Sequence, residues 1–559
     1  MKHLKFAGLA GCLTLLGALS GCEPRAPGPQ GDSHTNWLKT CGNDSECGNG
    51  LSCVCGVCTA VCGSDAACSA APGSVCLPAQ HAGLIAACAG QPPPVLGMCL
   101  PTCSADVGCA DGEACVAGAC QPLAAPTAHV AVDTSAPLQV LTGFGATVGY
   151  AEDEIAAFSN GDALAEAMFA GLGLDVLRFR NRYAEVSEPV LHQATDLVAS
   201  ATQSLGRAPL VLLSSWSPPA SLKQNGATFC SDPSTCKLTT NPSGAFDYAG
   251  LATHWRSSLD AYARQGFAPD FIGIQNNADW APSGGVILEA CKFLPHEGTT
   301  NVVGFGGTAV AVRYPGYDQA LEAVTNGIAD LAARPRILAP DLSSIHGATD
   351  YMSMLGAAHI DALAHHLYGS DPAALDLVGM KALATLGGDM GLPLFQTEMQ
   401  AGGFDTAVLI HHAFVEGNAS MYLQAALVGP LSGPAVNASA LIGLEGKAFV
   451  LQDPYFAMAH FSRFTEPGWS RVAADTSTPG LLASAWLSPA HDALTIVLVN
   501  AATETLSVGV NLGAEQVRSA KLLRSVFGGS ERFTDLGAWT APSSVSLPPR
   551  SVATIVIDE

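Results

Sequence analysis

Eight short apolar segments in the middle of the chain constrain the fold more than any other feature. Short apolar runs without a helical period predict strands that are buried on both faces. Their alternation with longer helical stretches predicts βαβ units and a parallel sheet, and eight such units are what a (β/α)8 barrel requires. The segments lie around Phe144 and at 176–179, 210–213, 271–274, 336–338, 362–365, 392–395 and 420–423, and helices are predicted at 163–172 and 191–204.

Two of these segments end abruptly in polar side chains. Segment 271–274 is followed by a polar cluster and a tryptophan, and segment 392–395 by a second cluster: Gln275, Asn276, Asn277, Asp279 and Trp280, then Gln396, Thr397 and Glu398. Side chains at the C-terminal ends of barrel strands point into the site, so these clusters indicate function. Either cluster alone could equally cap a loop.

The order of these motifs resembles glycoside hydrolase family 30, the family of bacterial xylanases and of acid glucosylceramidase. In that family the fourth barrel strand ends in Ile-Gln-Asn-Glu-Pro and the seventh in Thr-Glu. The other matching positions are Leu177-Arg178 at the second strand, 215–219 with Lys223 and 225–226 at the third, His366 and Tyr368 at the sixth, and 460–472 after the barrel. The resemblance covers roughly residues 128–559. It implies an α/β fold, a (β/α)8 TIM barrel with an attached C-terminal β-sandwich.

The resemblance also implies roles for single residues in a retaining β-glycosidase, which needs two carboxyl groups about 5–5.5 Å apart. Glu398 corresponds to the nucleophile, and Arg178 beside it would keep it ionised. The remaining candidates bind substrate or orient the nucleophile: Asn276 at the sugar 2-hydroxyl, His366 and Tyr368 at Glu398, and Trp216 and Trp280 at sugar faces.

The sequence departs from the family where the acid/base glutamate belongs. Asn277 occupies that position, and Ala278 replaces the proline that follows. An amide cannot donate and recover a proton near neutral pH as a carboxyl group can. Asp279 is the first candidate for a replacement acid, Glu289 is a second, and residues 152–154 follow the first strand.

Three interpretations of the function therefore remain open. The main one is a retaining hydrolase of an extracellular β-linked glycan with an atypical acid/base, restricted to good leaving groups if no acid is present. The second is a surface protein that binds glycans without cutting them. The third makes the cysteine-rich region the working part, as an adhesion module. The region around the eighth strand, 421–424, lacks the tryptophan common in the family, so xylan, β-1,6-glucan, galactan and glucosides are all open.

The N-terminus has the anatomy of an export signal. Lys2 and Lys5 precede an apolar run at 6–19, too short to span a bilayer, and Leu19-Ser20-Gly21-Cys22 resembles a bacterial lipobox. We expect a signal peptide at 1–21, a lipidated Cys22 as the anchor in the cell envelope, or plain secretion, and a flexible tether at 22–40.

Charge limits the partners. The chain has 48 Asp and Glu against 25 Lys and Arg, a net charge of −23, and such a surface repels nucleic acid and anionic lipid. A neutral polysaccharide or oligosaccharide is compatible with it. The expected chemistry needs no metal or organic cofactor.

Cysteines concentrate between residues 41 and 121. A six-residue spacing with Asp at its fourth position begins at Cys41, Cys62 and Cys103, which predicts a small disulfide-rich region of repeats. The alternative is a zinc site at Cys53, Cys55 and Cys58. Further along, Cys230 and Cys236 flank a loop and are predicted to pair, which leaves Cys291 free.

The pattern changes near Gly468. From there, alternating apolar residues at 494–498, 507–512, 520–523 and 553–557 predict the strands of a β-sandwich at 468–559, and 129–132 and 139–141 are expected to add to it. The barrel is accordingly placed at 128–467.

Overall fold

The structure is a computed structural model with two compact units, residues 1–123 and 124–559. It describes residues 39, 41–48, 50–69, 74–79, 88, 95–101, 126–303, 309–369, 374–432, 437–513, 519–540 and 543–558, and the backbone of 113–116 and 119–122. The predicted signal peptide, Cys22, the tether apart from Lys39, and the third cysteine spacing at Cys103 lie outside these residues. Along the described ranges, no helix has the length and apolarity needed to cross a bilayer.

Disulfides hold the first unit together, as its cysteine spacing predicts. In the first two repeats the first cysteine pairs with the third and the second with a later one: Cys41–Cys53, Cys47–Cys58, Cys62–Cys76 and Cys68–Cys99, with Cys55–Cys88 in addition. Cys53, Cys55 and Cys58 are all in disulfides, so the zinc alternative fails for these residues.

The aspartate shared by the repeats has a structural role. The Asp44 carboxylate accepts a hydrogen bond from the Cys53 backbone N–H at 2.6 Å, and the Asp65 carboxylate accepts one from Cys76 at 2.8 Å. Each aspartate therefore ties the start of its repeat to the strand that carries the paired cysteine. The elements of this unit are short 3-10 turns at Asp44–Glu46 and Asp65–Cys68 and strands β1 (Ser52–Val54), β2 (Val57–Thr59), β3 (Val61–Cys62), β4 (Ser74–Leu77), β5 (Gly97–Pro101), β6 (Glu113–Val116) and β7 (Ala119–Pro122).

The second unit contains a closed barrel of eight parallel strands, which confirms the predicted fold. In barrel order they are β9 (Gly143–Thr147), β10 (Val176–Arg180), β11 (Leu210–Ser214), β13 (Phe271–Gly273), β17 (Arg336–Leu342), β18 (Ala362–His366), β19 (Leu394–Glu398) and β20 (Ala419–Gln424). Each predicted segment coincides with one strand. The fifth strand extends to Leu342, four residues beyond the predicted end.

Helices follow most barrel strands and cover the outside of the barrel. They are α1 (Glu152–Ala156), α2 (Gly161–Met168), α3 (His192–Leu205), α4 (Tyr248–Arg264), α5 (Tyr317–Gly327), α6 (Ala348–Leu355), α7 (Leu377–Met390), α8 (Phe404–Val415) and α9 (Asp453–Ser462). Helix α2 ends at Met168, before the predicted residue 172. Gly173 follows with φ +65°, and a Cβ at this position would lie 2.9 Å from the Ser462 carbonyl oxygen. A left-handed residue in that space has to be glycine.

The loops above the barrel carry small sheets. A two-residue ladder pairs β12 (Phe229–Cys230) with β14 (Leu288–Glu289), and β15 (Gly298–Val303) pairs with β16 (Ala309–Tyr314). After the eighth barrel strand, β21 (Val428–Pro430), β22 (Ile442–Glu445) and β23 (Ala448–Leu451) form a third sheet. Short 3-10 turns lie at Glu188–Leu191, Ala220–Leu222 and Pro233–Thr235.

The C-terminal strands form two layers around their own apolar core, as predicted. They are β24 (Ser470–Thr476), β25 (Leu481–Leu487), β26 (Ala493–Asn500), β27 (Leu506–Asn511), β28 (Ser519–Val526), β29 (Thr534–Ala538), β30 (Val545–Leu547) and β31 (Ser551–Asp558), joined by β8 (Ala128–Asp133). The first half of β24 pairs with β25 and its second half with β8, so this strand passes from one layer to the other.

The 139–141 segment adds to the sandwich through backbone pairing, although it does not form a regular strand. The Leu141 N–H donates to the Trp469 carbonyl oxygen at 2.7 Å, the Arg471 N–H donates to the Gln139 carbonyl oxygen at 2.9 Å, and Val140 forms a bridge to Ser470. The Gln139 side-chain amide also donates to the carbonyl oxygens of Phe414 and Ala419. The segment therefore pairs with the first residues of β24, as the alternation predicts.

The sandwich packs against the barrel through buried aromatic rings and one histidine. Phe144, Phe414 and Phe461 contact Trp486 of β25. His460 is fully buried and hydrogen-bonds Thr554 Oγ1 at 2.8 Å and Ser525 Oγ at 2.9 Å. The 460–472 segment therefore connects the barrel to the sandwich and does not belong to the site.

Candidate active site

The alternation of side chains along β10 places an arginine inside the top of the barrel. Val176 packs in the barrel interior, whereas Leu177 and Phe179 face the surrounding helices. Because alternate residues of a strand share a face, Arg178 points inward above Val176. Its side chain is fully buried.

The guanidinium of Arg178 donates hydrogen bonds to residues at the ends of four other barrel strands. Arg178 Nη1 donates to Glu398 Oε2 at 2.6 Å, and Nη2 donates to Asn276 Oδ1 at 2.6 Å and to Asp341 Oδ2 at 2.7 Å. Nε donates to Ser214 Oγ at 3.2 Å. Arg178 thus links five barrel strands, and it brings together three residues that the sequence predicted as site residues: itself, Asn276 and Glu398.

Asp341 is a site residue that sequence reasoning missed. It lies at a bulge in β17 with φ +58°, and its fully buried carboxylate accepts hydrogen bonds from Arg178, His366 Nε2 at 3.1 Å and Thr397 Oγ1. Burial alone would raise the pKa of Asp341, but the Arg178 and His366 charges outweigh it and hold the pKa well below its usual range. The same strand-end rule that found Glu398 would have found Asp341 had the predicted strand reached it.

Glu398 is held from both sides and opens to solvent. Tyr368 donates its hydroxyl hydrogen to Oε1 at 2.9 Å, while Arg178 occupies Oε2, and the residue remains 8 % exposed. Burial and the Glu398 charge raise the pKa of the Tyr368 phenol, so it keeps its proton and remains a donor. His366 hydrogen-bonds Asp341 and not Glu398. It therefore reaches the nucleophile candidate through Asp341 and Arg178, and through its edge-on ring contact with Tyr368.

Glu398 lies where two cavities meet. One has a volume of about 660 Å³ and is lined by the loop after the first barrel strand and by the β21–β23 sheet. The other has about 680 Å³ and is lined by the loops after the fourth to sixth strands. Tyr150, Trp216, Glu398 and Gln400 line both. The two cavities form one cleft that extends to both sides of the Glu398 carboxylate.

Aromatic side chains form part of the cleft walls. Trp216 is half-buried, and the centroid of its ring lies 4.7 Å from the guanidinium carbon of Arg178. Trp280 lines the second cavity. Aromatic faces suit the apolar C–H faces of sugars. Tyr150, which the sequence did not single out, is 56 % exposed in the wall common to both cavities.

Asn277 also faces the cleft. Its backbone has φ +52°, its N–H donates to the Asp341 carbonyl oxygen at 2.9 Å, and its carbonyl oxygen accepts from the Trp280 N–H at 3.0 Å. The side chain lines the second cavity, and its buried Oδ1 atom has no hydrogen-bond partner. The acid/base position of the resembled family is therefore inside this cleft and holds an amide.

The candidate replacement acids occupy different places. Both carboxylate oxygens of Asp279 accept hydrogen bonds from Ser343, from its N–H at 2.8 Å and its hydroxyl at 2.9 Å, and Asp279 is not among the residues that line either cavity. Glu152 and Asp153 pair with Arg182. Glu154 lines the first cavity and Glu289 the second.

A disulfide holds the loop after the third strand, as predicted. Cys230 and Cys236 are paired, and Cys291 is free and fully buried. The buried Lys223 ammonium donates to Ser217 Oγ at 3.0 Å and to the carbonyl oxygen of Ala290. These contacts join the loops after the third and fourth strands.

The potential metal-binding groups among the described residues lie outside the cleft. Two consist of cysteines that are in disulfides, and the third is His411, His412 and Glu416 at the end of α8.

Sequence comparison identifies no relative: no family model matches the chain, and no curated protein matches it. Solved structures do match its fold. The glycoside hydrolase family 30 subfamily 8 xylanase Xyn30A from Clostridium acetobutylicum aligns with 77 % of this chain and 100 % of its own, at 20 % identity and a TM-score of 0.58.

Two further solved structures with this fold are also glycoside hydrolases. A family 30 endoxylanase from Clostridium papyrosolvens covers 77 % of this chain and 100 % of its own at 17 % identity, with a TM-score of 0.56. An endo-β-1,6-glucanase covers 78 % of this chain and 95 % of its own at 14 % identity, with a TM-score of 0.54. The fold implied by the sequence resemblance is therefore confirmed over the second unit.

Proposed function

We propose that the chain is a retaining O-glycoside hydrolase that acts on an extracellular β-linked polysaccharide or glycoside of the xylan or β-glucan type. The observation that carries this proposal is the placement of Glu398, whose carboxylate opens at the junction of two cavities while Arg178 and Tyr368 hold its two oxygens. A nucleophile in that position has glycan-sized space on both sides.

In the proposed reaction Glu398 is the nucleophile. Its carboxylate attacks the anomeric carbon, the glycosidic bond breaks, and water later releases the sugar from the covalent intermediate with retained configuration. Arg178 is charged at every accessible pH and holds the carboxylate in its orientation through the hydrogen bond to Oε2. Asn276 accepts from Arg178 through Oδ1, so its amide nitrogen is the end directed away from the guanidinium and suited to a sugar hydroxyl.

The substrate class rests on the cleft walls and the neighbouring structures. Trp216, Trp280 and Tyr150 offer aromatic faces along the cleft, and the chain's net charge of −23 suits a neutral polymer. The structures with the same fold include xylanases and an endo-β-1,6-glucanase, and also α-L-arabinofuranosidases. The choice of a β-linked glycan therefore follows the first two and the order of the sequence motifs. A lipid anchor at Cys22 would place this cleft at the cell envelope.

Glycan binding without cleavage is the second candidate. The observation that favours it is Asn277, a neutral amide on the cleft wall where the resembled family has its proton donor.

Replacement of Glu398 by glutamine separates the two candidates. The new amide oxygen can still accept from Arg178 and the new NH2 group can donate to the Tyr368 oxygen, so we expect a folded protein. Wild type and Glu398→Gln should be compared on aryl β-glycosides and a polysaccharide panel, with glycan binding measured in parallel. We expect cleavage to fall by at least about 10⁴-fold in the variant, as for other isolated nucleophiles. Turnover retained in the variant would refute the nucleophile assignment, and binding without any cleavage by wild type would establish the second candidate.

A further inference from the structure

The proposed hydrolase still lacks a proton donor. Among the described residues that line the cleft, three have carboxyl groups: Glu398, Glu154 and Glu289. Glu398 is occupied as nucleophile, so the donor has to come from the other two unless the chemistry proceeds without one.

Glu154 and Glu289 differ in how they are held. Glu154 is exposed on α1, where nothing in the structure fixes the direction of its carboxylate. The Glu289 side chain is only 5 % exposed and lies in the cavity wall that also contains Asn277. A catalytic carboxyl must be oriented before substrate arrives, which favours Glu289.

The backbone at Glu289 is fixed by neighbouring loops. Glu289 pairs with Phe229 in the β12–β14 ladder, and the adjacent Cys230 is in the disulfide with Cys236. On the other side, the Lys223 ammonium donates to the carbonyl oxygen of Ala290. The loop that places an amide at 277 therefore returns a firmly held carboxyl group to the same cavity.

The two oxygens of Glu289 have different partners. Tyr150 donates its hydroxyl hydrogen to Oε2 at 2.6 Å, and Arg180 Nη1 lies 3.4 Å from Oε1. The closer partner of that Arg180 nitrogen is Glu185, at 2.5 Å. Because Tyr150 donates its hydroxyl hydrogen to Glu289, it positions this carboxyl group. Oε2 is thus occupied by Tyr150, while Oε1 has only the long contact to Arg180, so Oε1 is the oxygen that can carry a proton.

We propose, on the basis of the hydrolase function above, that Glu289 is the acid/base of this cleft and that Tyr150 and Arg180 position it. As Glu398 attacks, the bond from the anomeric carbon to the glycosidic oxygen breaks and the Glu289 proton passes to that oxygen, so a neutral alcohol leaves. The Glu289 carboxylate then takes a proton from water, whose oxygen attacks the anomeric carbon and displaces Glu398. Arg180 stabilises the carboxylate between these steps.

The test compares Glu289→Gln, Asp279→Asn and Glu398→Gln in the full chain. Asp389→Asn serves as the control, since it makes the same carboxyl-to-amide change at an exposed position of α7 that lines neither cavity. Each variant is assayed on an unactivated polysaccharide and on a dinitrophenyl β-glycoside, whose leaving group departs without a proton. Azide is then added, because this anion attacks a glycosyl-enzyme without needing a base.

We expect Glu289→Gln to lose about 10²–10⁴-fold on the polysaccharide, the usual contribution of general acid catalysis. It should still form the glycosyl-enzyme from the activated substrate, and azide should accelerate turnover and yield a glycosyl azide of retained configuration. Activated-substrate turnover also reports that the variant has folded. Asp389→Asn should show the wild-type dependence on the leaving group.

The outcomes separate this inference from the proposed function. Wild-type polysaccharide activity in Glu289→Gln, with Glu398→Gln inactive, would overturn the role of Glu289 and leave the hydrolase standing. A selective polysaccharide defect with azide rescue in Asp279→Asn would overturn it in favour of Asp279. A wild-type chain inactive on every substrate would overturn the hydrolase itself.

Discussion

Asp341 and Glu398 share one buried guanidinium, and this sharing predicts how the two carboxylates contribute to stability. Asp341→Asn keeps the shape of the side chain but removes its charge. The new amide oxygen can accept from Arg178, and its NH2 group can donate to the Thr397 hydroxyl, which can accept. The variant loses the ion pair between Asp341 and Arg178, and breaking a buried ion pair costs roughly 3–5 kcal/mol of stability. Because Glu398 still balances Arg178, we expect a value near the lower end, about 3 kcal/mol.

The double variant Asp341→Asn with Glu398→Gln should cost more than the sum of the two single changes. Either carboxylate alone can compensate the Arg178 charge, but loss of both leaves a fully buried guanidinium without a carboxylate partner. Coupling energies between residues in one network are typically about 0.5–3 kcal/mol. Guanidinium unfolding of the disulfide-intact chain, followed by tryptophan fluorescence at pH 7, measures all four corners of the cycle. Asp389→Asn on the exposed face of α7 is the control, expected to change stability by under about 0.5 kcal/mol.

The pH dependence gives a second readout of the same reasoning. The pKa of Asp341 is lowered in the folded state, so its contribution is present above the unfolded-state pKa of about 3.9 and is lost as pH falls through the folded-state pKa. The stability difference between wild type and Asp341→Asn should be constant from pH 5 to about 7 and shrink below about pH 4. A single variant as stable as wild type at pH 7, or an additive cycle, would refute the shared guanidinium.

Two further predictions concern the surroundings of the site. Tyr368→Phe removes the hydroxyl that donates to Glu398. Because hydrogen bonds to charged groups contribute about 1.5–3 kcal/mol, kcat/KM on aryl glycosides should fall roughly 10–100-fold with folding intact. Wild-type kinetics in this variant would contradict the role of Tyr368. Cys230→Ser with Cys236→Ser opens the disulfide that adjoins the Glu289 ladder, a loss of about 2 kcal/mol for so short a loop. The polysaccharide activity should fall while circular dichroism keeps the barrel signal, and unchanged activity would show that the ladder holds Glu289 without the disulfide.

The barrel could be predicted because each of its strands has a local signature. Segment 271–274 and its neighbours are short, apolar and without helical period, and the structure places a barrel strand at each predicted position. The Cys230–Cys236 pair followed in the same way from its spacing within one loop. The 139–141 segment shows the limit of such patterns, since its backbone pairs with the start of β24 through a single bridge at Val140 and does not form the regular strand that alternation suggested.

The site was predicted in part. Arg178, Asn276 and Glu398 were expected together, and the structure joins them directly. Asp341 was missed because its strand continues through a bulge, and a bulge has no pattern of its own in a single sequence. Asp279 was preferred to Glu289 because it is nearer to Asn277 along the chain, whereas the loop turns Asp279 onto Ser343.

Side-chain periodicity and spacing within short segments were enough to predict the barrel, the disulfide-rich character of the first unit and the strand ends from which the site is built. Which cysteines pair in the first unit, and which carboxyl groups line the same cavity, follow from the tertiary structure. Glu289 and Glu398 reach one cavity from the ends of different strands, and the direction of each is set by partners distant in sequence, Tyr150 for one and Arg178 for the other. Contacts of that kind depend on how loops close over a barrel, which no local pattern encodes.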